Sequence, residues 1–178
     1  MWIRCNLSLA LAVVLASCAT AGTASEIARA APALAPCEAG GTGSSVVRPD
    51  DVAVGPLILM SARDARSHPP DAFGGLGYKI PATLPAGTVA TLSVPRALRP
   101  HVRLVYSRSV QDGVHETGIG AGSRAVRFAA CAAGAPDART GWTGGILVDR
   151  PRCVTLRIRV DGESAATSHR VPLGRRCR

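Results

Sequence analysis

Residues 153–161 carry the strictest pattern in the chain. Directly after Cys153, Val154, Leu156, Ile158 and Val160 alternate with Thr155, Arg157, Arg159 and Asp161. Side chains alternate across a β-strand, so the pattern describes a strand with one apolar face and one wet, basic face. Upstream, Val126 and Phe128 alternate around Arg127 and run into Cys131, and Ile146 and Val148 form another short run behind Gly144-Gly145. The connection between the two cysteines is rich in Gly, Pro and Asp and builds little core of its own. That gives Cys131 and Cys153 a structural role as staples. Zinc would call for close pairs such as C-x2-C, and a redox thiol for C-x-x-C; neither is present.

The beginning of the chain has the form of a targeting segment. Arg4 supplies a positive start, and Leu7 to Ala16 is an apolar run of ten residues. That is short for a bilayer span but right for the core of a secretory signal. Leu15-Ala16-Ser17-Cys18 resembles the lipobox of bacterial lipoproteins. The resemblance implies cleavage before Cys18, diacylation of its sulfur and anchoring to the outer face of the cell membrane. Cleavage after Ala19-Thr20-Ala21, giving a secreted chain, is the alternative. The expected organisation is a signal peptide over 1–17, a lipidated cysteine and flexible Ala/Ser/Thr/Pro-rich tether over 18–36, and a folded domain over 37–178.

Cys5 is lost with either cleavage, which leaves Cys37, Cys131, Cys153 and Cys177 in the folded domain. Four cysteines in an exported chain read as two disulfides, with three possible pairings. Neighbourhood along the chain favours Cys131–Cys153 with Cys37–Cys177.

Further strand-like runs are Leu57-Ile58-Leu59-Met60, Tyr78 to Ile80, Thr88 to Val94 and His101 to Ser107, with a last one through His169 to Leu173. Ala62 to Gly77 reads as a loop, broken by Pro69-Pro70 and Gly74-Gly75, and Leu84-Pro85-Ala86-Gly87 as a turn. Asp112-Gly113 and Asp161-Gly162 read as tight hairpin turns. Asp50-Asp51 reads as a polar turn. After the signal no apolar 3.6-residue period extends over ten residues. The expectation is an all-β sandwich of about seven to nine short antiparallel strands, stapled by two disulfides.

Several motifs together carry a resemblance. They are Phe128 three residues before Cys131, the turn Thr140 to Gly145 with its Gly144-Gly145 pair, Arg152-Cys153-Val154-x-Leu156, and the late Cys177. This pattern resembles a group of uncharacterised secreted or lipid-anchored proteins of actinobacteria. The resemblance spans roughly Val126 to Cys177. It implies an immunoglobulin-like β sandwich and brings no catalytic residues.

The formal charge is +9, and all but one of the basic residues, Lys79, are arginine. The charge is concentrated late: eight arginines lie between Arg150 and Arg178 against Asp161 and Glu163 alone. Arg157 and Arg159 on a strand's wet face, with Arg175 and Arg176, form the expected surface for an anionic partner. That partner would be an anionic envelope component or an acidic protein. Nucleic acid is not expected for an exported chain with so few aromatics to stack on bases.

No nucleophile elbow or H-E-x-x-H motif occurs. Gly118-Ile119-Gly120-Ala121-Gly122 lacks the Gly-Lys-Ser/Thr of a phosphate loop and reads as a flexible turn. Asp112, His115 and Glu116 read as exposed polar residues. No catalytic residue, metal site or cofactor is expected. The sequence therefore points to a non-enzymatic, lipid-anchored binding module. The alternatives are a secreted inhibitor or small-ligand carrier, and an extracytoplasmic enzyme of unrecognised type.

Overall fold

The computed structural model describes residues 31–44, 46–132 and 137–178. The expected signal peptide, Cys18 and most of the tether lie outside the described residues. Among the described residues thirteen strands, more than the seven to nine expected, form three sheets. The first sheet has the order β1 (Ala33–Ala35), β9 (Ala125–Ala129), β7 (Val89–Ser93), β12 (Arg152–Val160), β13 (Thr167–Leu173). The second has the order β2 (Gly41–Ser44), β10 (Ala138–Trp142), β6 (Ala82–Pro85), β4 (Leu57–Leu59), β3 (Val52–Val54). The third is β5 (Gly77–Lys79), β11 (Gly145–Val148) and β8 (Val102–Val105). Among the described residues every strand pairing is antiparallel except β1 with β9.

The alternation read from the sequence places the core. Val154, Leu156 and Ile158 of β12, Ala90 and Leu92 of β7, and Val126 and Phe128 of β9 are all buried. One apolar cluster takes side chains from all three sheets. At its centre the rings of Tyr106, Phe128 and Trp142 follow one another at 5.0 and 5.1 Å between centroids, in edge-on and tilted contacts. Such contacts contribute about 1 kcal/mol each beyond the area they bury. The polar ends of the ring chain are satisfied: Tyr106 Oη donates to the Ile80 carbonyl at 2.8 Å, and Trp142 Nε1 donates to the Pro36 carbonyl at 2.9 Å.

The structure corrects several expectations. Asp112-Gly113 is not a hairpin turn but lies inside the helix α1 (Arg108–Thr117). Ser107 caps it by accepting from the Val110 backbone N–H, and Val110 and Val114, one turn apart, pack inward with Leu147 and Ile119. Thr140 to Gly145 is not one turn: β10 ends at Trp142 and β11 begins at Gly145. Both glycines are demanded by close approach, since a Cβ at Gly145 would stand 2.0 Å from the Tyr78 carbonyl oxygen and one at Gly144 would stand 2.3 Å from that of Val105. Asp51 is no surface turn residue. It is buried, and its carboxylate accepts from the Arg48 and Ser61 backbone N–H groups at 2.8 Å each. The fold begins before Cys37, because Ala33–Ala35 pairs with Val126–Phe128 inside the stretch expected as tether.

All four cysteines are bonded, but as Cys37–Cys131 and Cys153–Cys177. The strand directions explain why the expected pairing fails. β9 and β12 are each antiparallel to β7, so they run the same way. Cys131 follows the end of β9, whereas Cys153 stands at the start of β12, at the opposite end of the sheet with β7 between. The parallel register Ala35↔Phe128 instead brings Cys37 and Cys131 off the same end. Two disulfides are the mark of an oxidising compartment outside the cytoplasm. Among the described residues no helix is long and apolar enough to cross a membrane.

Candidate functional site

The wet face of β12 is where the sequence put it. Arg157 and Arg159 are exposed, and the register sets them beside Ser93, Thr91 and Ser168 on neighbouring strands. Arg127, beyond Thr91 on the same face, is neutralised: its Nη1 and Nη2 donate to both carboxylate oxygens of Asp161 at 3.1 and 2.6 Å. Thr155 is paired with Arg170, so the outward face of β13 continues the basic surface to the edge of the sheet.

At that edge the surface becomes concave. A cleft of about 490 Å³ is lined by Arg63, Arg66, Arg170 and Arg176, with Val52, Pro172 and Cys177. Three separate segments supply its arginines, and Val52 of β3 adds to the lining. Arg66 lies in a short 3-10 turn (Asp64–Ser67) and Arg63 immediately precedes it, Arg170 comes from β13, and Arg176 from the tail beyond it. Gly174, at φ +65°, turns the tail back; a Cβ there would stand 2.3 Å from the Tyr78 hydroxyl. The Gly174 N–H donates to the Ala65 carbonyl at 2.7 Å, which fastens the tail to the Arg63–Arg66 segment. The Cys153–Cys177 bond then holds the chain next to Arg176 against the start of β12.

Two of the four guanidiniums are held by main-chain oxygens. Arg63 Nε donates to the Asp51 carbonyl at 2.8 Å, and Arg170 Nη1 donates to the Arg178 main-chain oxygen. Among the described residues none of the four is in an ion pair with an Asp or Glu side chain, and no acidic side chain lines the cleft. Four exposed positive charges around one concavity with no lining Asp or Glu create a local field that selects anions.

Of the expected surface, Arg176 lines the cleft, Arg157 and Arg159 occupy the adjoining open face, and Arg175 is exposed but is not part of the lining. Arg63 and Arg66 were invisible to sequence reasoning. Their only signal was a pair of arginines three apart within a loop, and nothing local says that the loop packs against the tail.

A second arginine grouping lies elsewhere. Arg103 and Arg124 line a groove of about 410 Å³ beside Gly120 to Ser123. Partial burial, then the charges of Arg124 and Arg99, hold the Arg103 guanidinium below its ordinary value. Arg139 is likewise lowered by burial, but it is occupied, donating to the Pro56 carbonyl and to Thr83.

Asp112, His115 and Glu116 are exposed on α1. Asp112 lines a groove of about 590 Å³ with Arg108, Gln111 and Thr143, while His115 and Glu116 are not part of that lining. His101 and His68 each approach a single carboxylate, Asp149 at 2.7 Å and Asp71 at 4.0 Å. Among the described residues no group of three or more His, Cys, Asp or Glu stands close enough to hold a metal ion.

Comparison adds no relative. No family model, no curated protein and no solved structure matches the chain. The functional reading therefore rests on the site alone.

Proposed function

We propose that the protein is a non-enzymatic binding module of the cell envelope, held at the outer membrane face by a lipid on Cys18, that recognises an anionic partner through its basic sheet face and the arginine cleft. The observation that carries this reading is the convergence of Arg63, Arg66, Arg170 and Arg176 on one cleft with no lining carboxylate. Arginine is suited to the task because its fork of donors stays charged at any physiological pH. The adjoining Arg157 and Arg159 extend the attraction over a wider surface and make capture sensitive to salt. Stapling by two disulfides suits a small domain that works outside the cell.

The test is cross-linking and affinity capture of the tagged protein from its native envelope, at low and high salt, with Arg157→Glu and Arg159→Glu in parallel. The expected result is a defined anionic partner, lost at high salt and on charge reversal. Capture that is unaffected by both, or no capture at all, overturns the reading. Cys18→Ala tests the anchor separately: the variant is expected in the soluble fraction, and unchanged membrane partitioning refutes lipidation.

A further inference from the structure

The ligand chemistry follows from the way the cleft is assembled. A carboxylate offers two oxygens and one charge, which one guanidinium satisfies in a bidentate pair. Four guanidiniums from three segments, with only Val52 and Pro172 as apolar lining, are in excess for such a group. A phosphoryl group offers three oxygens and up to two charges, and two joined phosphoryl groups offer more. The cleft volume, about 490 Å³, accommodates a group of that size with part of its carrier.

We infer that the cleft formed by Arg63, Arg66, Arg170 and Arg176 is a phosphoryl-binding site, and that the Cys153–Cys177 disulfide is the device that delivers Arg176 to it. The inference rests on the reading of this face as the contact for an anionic partner, and names the group recognised. Arg63 and Arg170 are pre-set by their bonds to main-chain oxygens. Arg176 has only the tail to place it, and the tail is fixed at Gly174 by one backbone hydrogen bond, at Cys177 by the disulfide and at Arg178 by the bond from Arg170. Breaking the disulfide releases Arg176 and also Arg178, the partner that holds Arg170.

The experiment is calorimetric titration of the oxidised full chain with pyrophosphate at low salt, with sulfate and acetate alongside. One binding site is expected, with pyrophosphate tighter than sulfate and acetate without measurable binding. Arg66→Ala and Arg176→Ala are each expected to weaken binding about tenfold or more, the effect of losing one charge-assisted contact. The double variant Cys153→Ser, Cys177→Ser is expected to weaken binding at least as much as Arg176→Ala, and Arg157→Ala, on the open face, to stay within about twofold of the parent. Absence of pyrophosphate binding, sulfate or acetate binding as tightly, or an Arg157→Ala loss equal to that of Arg66→Ala overturns the site. If the double variant does not fold, Arg176→Ala alone decides whether the tail contributes.

Sedimentation with phosphatidylglycerol vesicles, against phosphatidylcholine vesicles, separates the sources of the phosphoryl group. Binding to the anionic vesicles that Arg66→Ala abolishes assigns a lipid headgroup, while titration without vesicle binding assigns a soluble or polymer-borne phosphoester. The two proposals fail differently. An envelope partner lost on charge reversal, with no pyrophosphate binding, removes the phosphoryl site and leaves the binding module. Pyrophosphate binding with no envelope partner does the reverse.

Discussion

The two disulfides hold the two ends of the domain, and they do different work. Cys37–Cys131 spans 94 residues and Cys153–Cys177 spans 24. In the chain-entropy model the longer closure stabilises by about 4.7 kcal/mol and the shorter by about 3.5. The first is also backed by its surroundings. Next to it, β1 pairs with β9, and Trp142 donates to the Pro36 carbonyl from the second sheet. The second secures a tail with few other ties, next to the arginine cleft. One staple reinforces a region the core already orders; the other places a side chain that the core does not reach.

This contrast can be broken from either side. The largest effect is expected from Cys37→Ser with Cys131→Ser, a loss of about 4 kcal/mol in denaturant unfolding. If Trp142 and β1 do hold that end, the near-ultraviolet signal of the Trp142 environment survives in the folded fraction. Next comes Phe128→Ala, which removes the middle ring of the aromatic chain and is expected to cost about 3–5 kcal/mol. Equal losses for the two disulfide pairs would show that loop length is not what separates them. Cys153→Ser with Cys177→Ser is expected to cost about 3 kcal/mol or less, and to be the pair that changes anion binding.

A smaller effect sharpens the role of the core. Burial raises the Tyr106 phenol well above its ordinary value. A group whose folded pKa is raised contributes stability that is fully present below the unfolded pKa, about 10, and is lost as pH rises beyond it. Tyr106→Phe is expected to lose about 1 kcal/mol near neutrality, for the hydrogen bond to Ile80, and to flatten the alkaline limb of the stability curve. An unchanged alkaline limb would mean that another group governs unfolding there. The smallest effect is expected at Arg157→Ala, within about 0.5 kcal/mol, because the side chain is exposed and unpaired by any described carboxylate.

Where sequence reading misread local structure, a turn signal competed with a longer-range one. Asp112-Gly113 has the chemistry of a hairpin turn, yet Ser107 as a cap and Val110 with Val114 one turn apart make it helical. Gly144 and Gly145, at the start of β11, read as part of a turn because their cause, the crowding of the Tyr78 and Val105 carbonyls, lies on other strands. Asp161-Gly162 does lie in a hairpin connection, with Gly162 at φ +88°, but the ladder resumes only at Ile158↔Thr167, so the loop is wider than a two-residue turn.

What the sequence determined by itself was the inside and outside of the strands. Alternation is a local property with a period of two, and it placed Val154, Leu156 and Ile158 in the core and Arg157 and Arg159 in water. The even set of four domain cysteines, without metal-site or redox spacing, also pointed to two disulfides, because thiols brought together in an oxidising compartment form bonds. Which cysteines meet, and which arginines share a cleft, was decided only by the tertiary structure. Those contacts depend on strand order and direction, with β7 between β9 and β12 and the tail turned back at Gly174 onto Ala65. Residues far apart in the chain become neighbours there through packing, and packing leaves no periodic trace in the sequence.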